Sequence, residues 1–198
     1  LMNKQSFGLP LIGWKNFFKW RYWKRCFRSS PIRLSFDRQF VIQMNNIKFT
    51  YKNSEKTVAL NGINLSVSPK EVVVFVGPNG SGKSTLIDIL TGAIEQDEGQ
   101  LQICGFELRD VYYEYHSELG VVFQENTLYD KLSAREHFRL FSFRIGDDQT
   151  VDSEIERLSS LLQIDSVLDS FAEDLSGGEK RKLCLALALL QSPRFLIV

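Results

Sequence analysis

The octet GPNGSGKS at residues 77–84 constrains this chain more than any other stretch of it. It matches the phosphate-loop pattern GxxxxGK[ST] at every fixed position, with the apolar run VVVFV (72–76) before it and KSTLIDIL (83–90) after it. The residue types follow from the chemistry. Gly77, Gly80 and Gly82 let the backbone curl so that successive amide N–H groups face phosphate oxygens, with Pro78, Asn79 and Ser81 in the variable places. Lys83 would set a point charge beside the β- and γ-phosphates, the Ser84 hydroxyl can ligate Mg²⁺, and Thr85 continues a helix whose positive end would face the same anion. The competing reading is a glycine-rich strand–turn–helix corner with no ligand. A buried strand before the loop and a helix after it favour nucleotide binding.

Patterning around this octet indicates α/β architecture. Ile47, Phe49 and Tyr51 alternate with polar residues, as do Ile63, Leu65 and Val67, with Asn61–Gly62 expected as a turn before the latter group. The run 72–76, apolar on both faces, suits a strand buried centrally in a parallel sheet. The helix after the loop should close at Gly92, and 101–105 and 119–123 read as further strands. The middle of the chain is helical. Ser133 and Glu136 form a capping-box pattern ahead of Phe138, Phe141 and Ile145. Val151, Ile155, Leu158, Leu161 and Leu162 line one face of a second helix, and a third runs from near Ser176 toward Pro193. FLIV (195–198) reads as another buried strand.

Charge is unevenly spread. Lys plus Arg balances Asp plus Glu at 24 each, yet residues 1–50 hold ten basic residues and one acid, Asp37. Residues 1–38 interleave Trp14, Trp20, Trp23 and several phenylalanines with Lys and Arg. Three readings stay open on composition: a membrane–water interface, a linker packed on its own domain, or stacking on single-stranded nucleic acid. Cys26, Cys104 and Cys184 are odd in number and lack metal-ligand spacing, which argues against zinc and disulfides and suits a reducing compartment. No apolar run reaches the ~18 residues of a membrane-spanning helix. The opening on Leu1 and the stop within an apolar run read as an internal fragment of something longer.

LSGGEKRK (175–182) is the second informative string. Ser176 and Glu179 suit a capping box, but Gly177 and Gly178 directly after the cap leave the first helical N–H groups unshielded toward an anion. A phosphate loop followed by a helical block and LSGGE resembles the ATP-binding cassette, or ABC, ATPases over residues 41–198. That resemblance implies a P-loop NTPase fold: a RecA-like core, an antiparallel β-subdomain and an α-helical signature subdomain. It implies ATP and Mg²⁺ as ligands. It assigns Tyr51 to stacking on adenine, Gln124 to the Q-loop that reaches the Mg²⁺ and attacking-water region, and Ser176, Gly177, Gly178 and Glu179 to the signature motif covering a nucleotide on an opposing cassette. After a run such as FLIV the family carries an Asp, a catalytic Glu and a switch histidine; Val198 comes before any of them. ATPase activity is thus expected of the parent and not of this chain alone, which should be an incomplete cassette.

FGLPLIGWKNFFKWRYW and LGVVFQENTLYDKLSAREH resemble the A-type subfamily, the lipid exporters, although Val122–Phe123 stands where Cys-Pro is usual and the loop departs from GHNGAGKTT. The implied organisation is a basic aromatic juxtamembrane linker (1–40) and a nucleotide-binding domain (41–198) on the cytoplasmic side of a membrane. Its partners would be transmembrane domains, a second nucleotide-binding domain of the same parent and the membrane surface, with no nucleic acid. The alternative is a soluble ABC ATPase acting in DNA repair or translation. A decayed gene product that binds nucleotide and does nothing else is a third reading. His116 and His137 match no family function and read as surface or helix-side residues; Lys180–Arg181–Lys182 reads as a solvated face.

Overall fold

The computed structural model describes residues 32–52, 56–143, 145 and 147–198. Residues 1–31 of the expected linker (1–40) therefore lie outside the described residues. Two compact units result, the first ending at Tyr115 and the second spanning His116–Val198.

The first unit is built on an antiparallel sheet. Strands β1 (Ile42–Thr50), β2 (Val58–Val67), β3 (Glu98–Ile103) and β4 (Phe106–Glu107) pair in the order β2-β1-β3-β4. Met44, Ile47, Leu101 and Ile103 are fully buried, each worth about 1.5–3 kcal/mol by burial of its side chain. The β3–β4 hairpin turns on Cys104 and Gly105, both at positive φ, the twist that two-residue hairpins favour. Helix α1 (Lys83–Leu90) follows the phosphate loop and is closed by Thr91 and Gly92, the latter at φ 67°. A short helix, α2 (Tyr112–Ser117), ends this stretch of chain.

Two expectations fail here. Asn61–Gly62 is no turn: both residues lie inside β2, and Gly62 (φ 82°) is the extra residue of a bulge, because Lys48 pairs with Asn61 and Ile47 with Ile63. Asn46, also at positive φ, takes up the complementary irregularity in β1, and its N–H donates to Asn64 Oδ1 at 2.9 Å. The same residue preference for positive φ serves a bulge as readily as a turn. The run 72–76 belongs to no strand; Val72, Val74 and Val76 are 88%, 74% and 91% exposed. Its apolar composition signals a strand that needs neighbours on both edges, and none of the described residues pairs with it.

The second unit joins a helical block to a parallel pair, β5 (Leu119–Val121) and β6 (Phe195–Ile197), in register Leu119↔Phe195. Its helices are α3 (Ala134–Phe141), α4 (Asp148–Leu162) and α5 (Gly177–Leu189). Phe138, Val151, Ile155, Leu158, Leu183 and Leu190 form the shared core. Leu161 departs from its expected place: it is 62% exposed, since it sits roughly 80° round the helix from the Val151–Leu158 line. Ser133 and Glu136 complete a reciprocal capping box on α3, and Asp147 caps α4 by accepting from the Thr150 N–H at 2.8 Å. Among the described residues no helix is long and apolar enough to cross a membrane.

Candidate nucleotide-binding site

The phosphate loop enters α1 through Gly82, at φ 89°. A Cβ there would lie 2.5 Å from the Ala59 carbonyl oxygen and 2.8 Å from Leu60 Cδ2, so packing on β2 and backbone sign both demand glycine. Gly80 also takes positive φ, whereas Gly77 is restrained by the Ser81 hydroxyl, 2.8 Å from where a Cβ would be. Helix α1 has neither a side-chain cap nor an acid in its first turn. Neither a capping side chain nor a first-turn carboxylate therefore offsets its leading amides and dipole, which an anion would meet first.

Lys83 turns back into the loop, where its Nζ donates to Gly77 O at 2.7 Å and Pro78 O at 2.8 Å. The cation is therefore already inside the curl that a phosphate would enter. Pro78, Asn79 and Ser84 are exposed, and Thr85 is buried. The Thr85 hydroxyl lies 3.1 Å from the Tyr51 hydroxyl. Tyr51 is 40% exposed and stands edge-on to Phe49 with ring centroids 5.0 Å apart. The loop, Lys83, Ser84, Thr85 and Tyr51 are thus one cluster in the first unit. Uncapped amides, a lysine and a hydroxyl suit a polyphosphate with a hard divalent cation.

In the second unit, Ser176 is the N-cap of α5. Its N–H donates to Glu179 Oε2 at 2.8 Å and its hydroxyl accepts from the Glu179 N–H at 3.3 Å. The Ser176 hydroxyl, and after it the Ser176 N–H, holds the Glu179 carboxyl below the usual glutamate range. Gly177 and Gly178 have nothing within 4 Å of where a Cβ would stand and do not adopt positive φ. Neither packing nor conformation calls for glycine here, and each costs about 1 kcal/mol against alanine in a helix.

Gln124 is exposed at the start of a loop that runs from β5 to α3. Features that sequence reasoning missed surround this loop. Arg181, expected as part of a solvated charge run, donates from its guanidinium to the Phe123 carbonyl. Lys180 reaches the Glu173 carbonyl at 3.5 Å, and Lys182 alone of the three is fully exposed. His137, expected as a surface or helix-side residue, lies on α3 and is wholly buried. Its Nε2 accepts from the Tyr129 N–H at 2.9 Å, so the ring hydrogen sits on Nδ1 and donates to the Ser133 carbonyl at 2.8 Å. The available signal was its position one residue before Phe138 on the capped helix. His116 is half-buried on α2.

The family model described as ABC transporter matches residues 60–198. ABC transporter A family member 4 of Dictyostelium discoideum is 33% identical over 152 residues, covering 75% of this chain and 9% of that protein. ATP-binding cassette sub-family A member 2 of Rattus norvegicus is 33% identical over 159 residues, 80% of this chain and 6% of that protein. The chain thus spans less than a tenth of the length of these two relatives. Cell division ATP-binding protein FtsE of Streptococcus pneumoniae is 33% identical, with 79% of this chain and 70% of that protein covered. Among solved structures, cbiO1 of Clostridium perfringens superposes with a TM-score of 0.71 at 22% identity, over 81% of this chain and 65% of that one.

Proposed function

From the premise that this chain belongs to the ABC transporter family and has its P-loop cassette fold, we propose that it is the ATP-binding domain of an A-type exporter that moves lipid. The sub-family A relatives support the subtype, and the resemblance of residues 7–23 to an A-type linker supports the placement of 1–40 at a membrane surface. Residues 41–198 then form the nucleotide-binding domain, on the cytoplasmic side. Its partners are transmembrane domains and a second nucleotide-binding domain of the parent.

In this reading the loop 77–82 and the first amides of α1 cradle the phosphates of ATP. Lys83 exchanges its two carbonyl partners for β- and γ-phosphate oxygens, and Tyr51 offers its ring to adenine. Ser84 supplies an oxygen toward Mg²⁺, which neutralises phosphate charge when bound, and in the second unit Gln124 offers its amide oxygen as the Q-loop glutamine. Ser176, Gly177, Gly178 and Glu179 cover the nucleotide of the facing cassette, where the vacant Cβ positions admit a phosphate chain.

The observation that carries the reading is the uncapped N-terminus of α1 with Lys83 folded into the glycine loop before it. Titration with a fluorescent ATP analogue tests it: Lys83→Ala should weaken binding by at least about tenfold, as loss of a charge-assisted contact implies. Equal affinity of the two proteins would overturn the assignment.

A further inference from the structure

The second unit carries a cavity of about 280 Å³ where the chain leaving α5 passes the first two turns of α4. None of its lining residues belongs to the nucleotide-binding cluster or to the signature motif. Ile145 and the buried Leu190 give it an apolar wall, while Thr150, Ser153, Glu154 and Gln191 bring polar atoms. Sites for drug-sized ligands hold roughly 300–1,000 Å³, so this one suits a side chain or a compound of a few carbons.

The polar atoms share one property: most of their hydrogens are already placed. The Thr150 hydroxyl donates to Asp147 Oδ1 at 2.7 Å and the Ser153 hydroxyl to the Thr150 carbonyl at 2.9 Å. Gln191 Nε2 donates to the Phe141 carbonyl at 3.0 Å. One Gln191 N–H apart, what remains is acceptor capacity: hydroxyl lone pairs, the Gln191 Oε1 and the Glu154 carboxylate. The helix ends agree with this. α5 has no basic residue in its last turn, so no side-chain cation offsets the negative end of its dipole. The positive end of α4 is offset by Asp147 as its cap and Asp148 in its first turn.

We propose that this cavity binds a primary alkylammonium group, from a lysine side chain or a free amine, with the carbon stem against Ile145 and Leu190. Such a stem covers apolar surface while its charged head meets acceptors. A guanidinium fits less well. Arg157 already bonds both Glu154 oxygens, at 2.9 and 2.5 Å, so the carboxylate fork that a guanidinium seeks is taken. An ammonium needs only point contacts. Arg157 is also the single base of α4 against four acids, so the wall stays net acidic.

The test titrates n-butylammonium chloride into the full ¹⁵N-labelled chain at constant ionic strength and follows backbone amide shifts. Saturable shifts should appear at 150–154 and 190–192. n-Butanol has the same stem without charge, and tetramethylammonium has the charge without an N–H. Each should bind at least about tenfold more weakly, the scale of one hydrogen bond to a charged group. Glu154→Gln should weaken n-butylammonium by a similar factor. Ser153→Asp should tighten it about two- to fivefold, as an added exposed ion pair does. The Phe138 and Ile155 amides report whether each variant keeps the helical core.

Nα-acetyl-lysine methylamide separates the two sources. Affinity within about threefold of n-butylammonium assigns the cavity to a lysine of a partner chain. Exclusion of the capped lysine with n-butylammonium still bound assigns it to a free amine. Shifts that n-butanol reproduces, shifts indifferent to both Glu154→Gln and Ser153→Asp, or no saturation by about 100 mM would overturn the proposal.

Discussion

The Tyr51 and Thr85 hydroxyls lie 3.1 Å apart, joining the end of β1 to the first turn of α1 across 34 residues of sequence. Thr85 is buried and Tyr51 partly exposed, so one partner sits under the phosphate loop while the other presents a ring to solvent. The Tyr51 N–H also closes the intervening loop on the Thr57 carbonyl at 2.9 Å. The ring proposed to meet adenine and the helix proposed to meet phosphate are therefore held by one bond.

That bond separates two roles of Tyr51. Tyr51→Phe should lower stability by about 1 kcal/mol, the net worth of a hydrogen bond, and leave ATP affinity within about threefold. Tyr51→Ala also removes the stacking face and should weaken ATP by about three- to tenfold, from ~0.5–1.5 kcal/mol of ring contact. Urea denaturation and a fluorescent-ATP titration read the two effects. Equal losses of affinity in both variants would move the role from the ring to the hydroxyl.

Glycines of the two motifs should respond in opposite directions to alanine. Gly82→Ala sets a side chain at φ 89° against the Ala59 carbonyl and should cost at least ~1–3 kcal/mol of stability. Gly178→Ala meets open space in a helical first turn and should stabilise the isolated chain by about 0.5–1 kcal/mol. Urea midpoints compare them directly. A destabilised Gly178→Ala would show that the fold, not a facing ligand, requires that glycine.

Acid should loosen the helical unit before it affects the sheet. Ser176 lowers the Glu179 carboxyl through its hydroxyl and then its N–H; the Ser133 N–H and then its hydroxyl do so for Glu136, the Thr150 N–H and then its hydroxyl for Asp147, and Arg135 for Asp169. Folded values below unfolded ones give stability that is whole above the ordinary carboxylate range and is lost as pH falls through the lowered values. Glu179→Gln should flatten this acid limb without altering the plateau's slope. Denaturation midpoints measured from neutral pH downward would check it, and an unchanged limb would refute the contribution of Glu179.

The proposed membrane placement of residues 1–40 carries its own test. A peptide of residues 7–30, basic and free of acids, should bind anionic vesicles and lose binding as salt rises, at roughly 1 kcal/mol per basic residue near the surface. Indifference to lipid charge would remove the electrostatic basis of that placement. Tighter salt-sensitive binding to single-stranded RNA would favour a different partner.

Features set by short-range spacing were legible in the sequence. The phosphate loop, both capping boxes and the helical faces around Phe138 and Ile155 each depend on residues a few positions apart, and the structure forms all of them. Features set by what the chain folds against were not legible. Gly62 keeps its positive φ but spends it on a bulge fixed by the register with Ile47, which no local pattern encodes. His137 is buried because the chain before α3 delivers the Tyr129 N–H to its ring. Arg181 looked solvated because its partner, Phe123, lies 58 residues away.

Val72, Val74 and Val76 stand open immediately before the glycine loop. A stretch without ladder bonds among the described residues has few contacts of its own to fix it, so holding it in place for a ligand draws on that ligand's binding free energy. Anything laid against these valines, whether another strand or another surface, removes that expense in advance. The loop would then bind more tightly with no new contact to its ligand, which is positive cooperativity carried by order alone. Through its apolar approach, the affinity of GPNGSGKS becomes a property of the neighbourhood of 72–76 as much as of the octet itself.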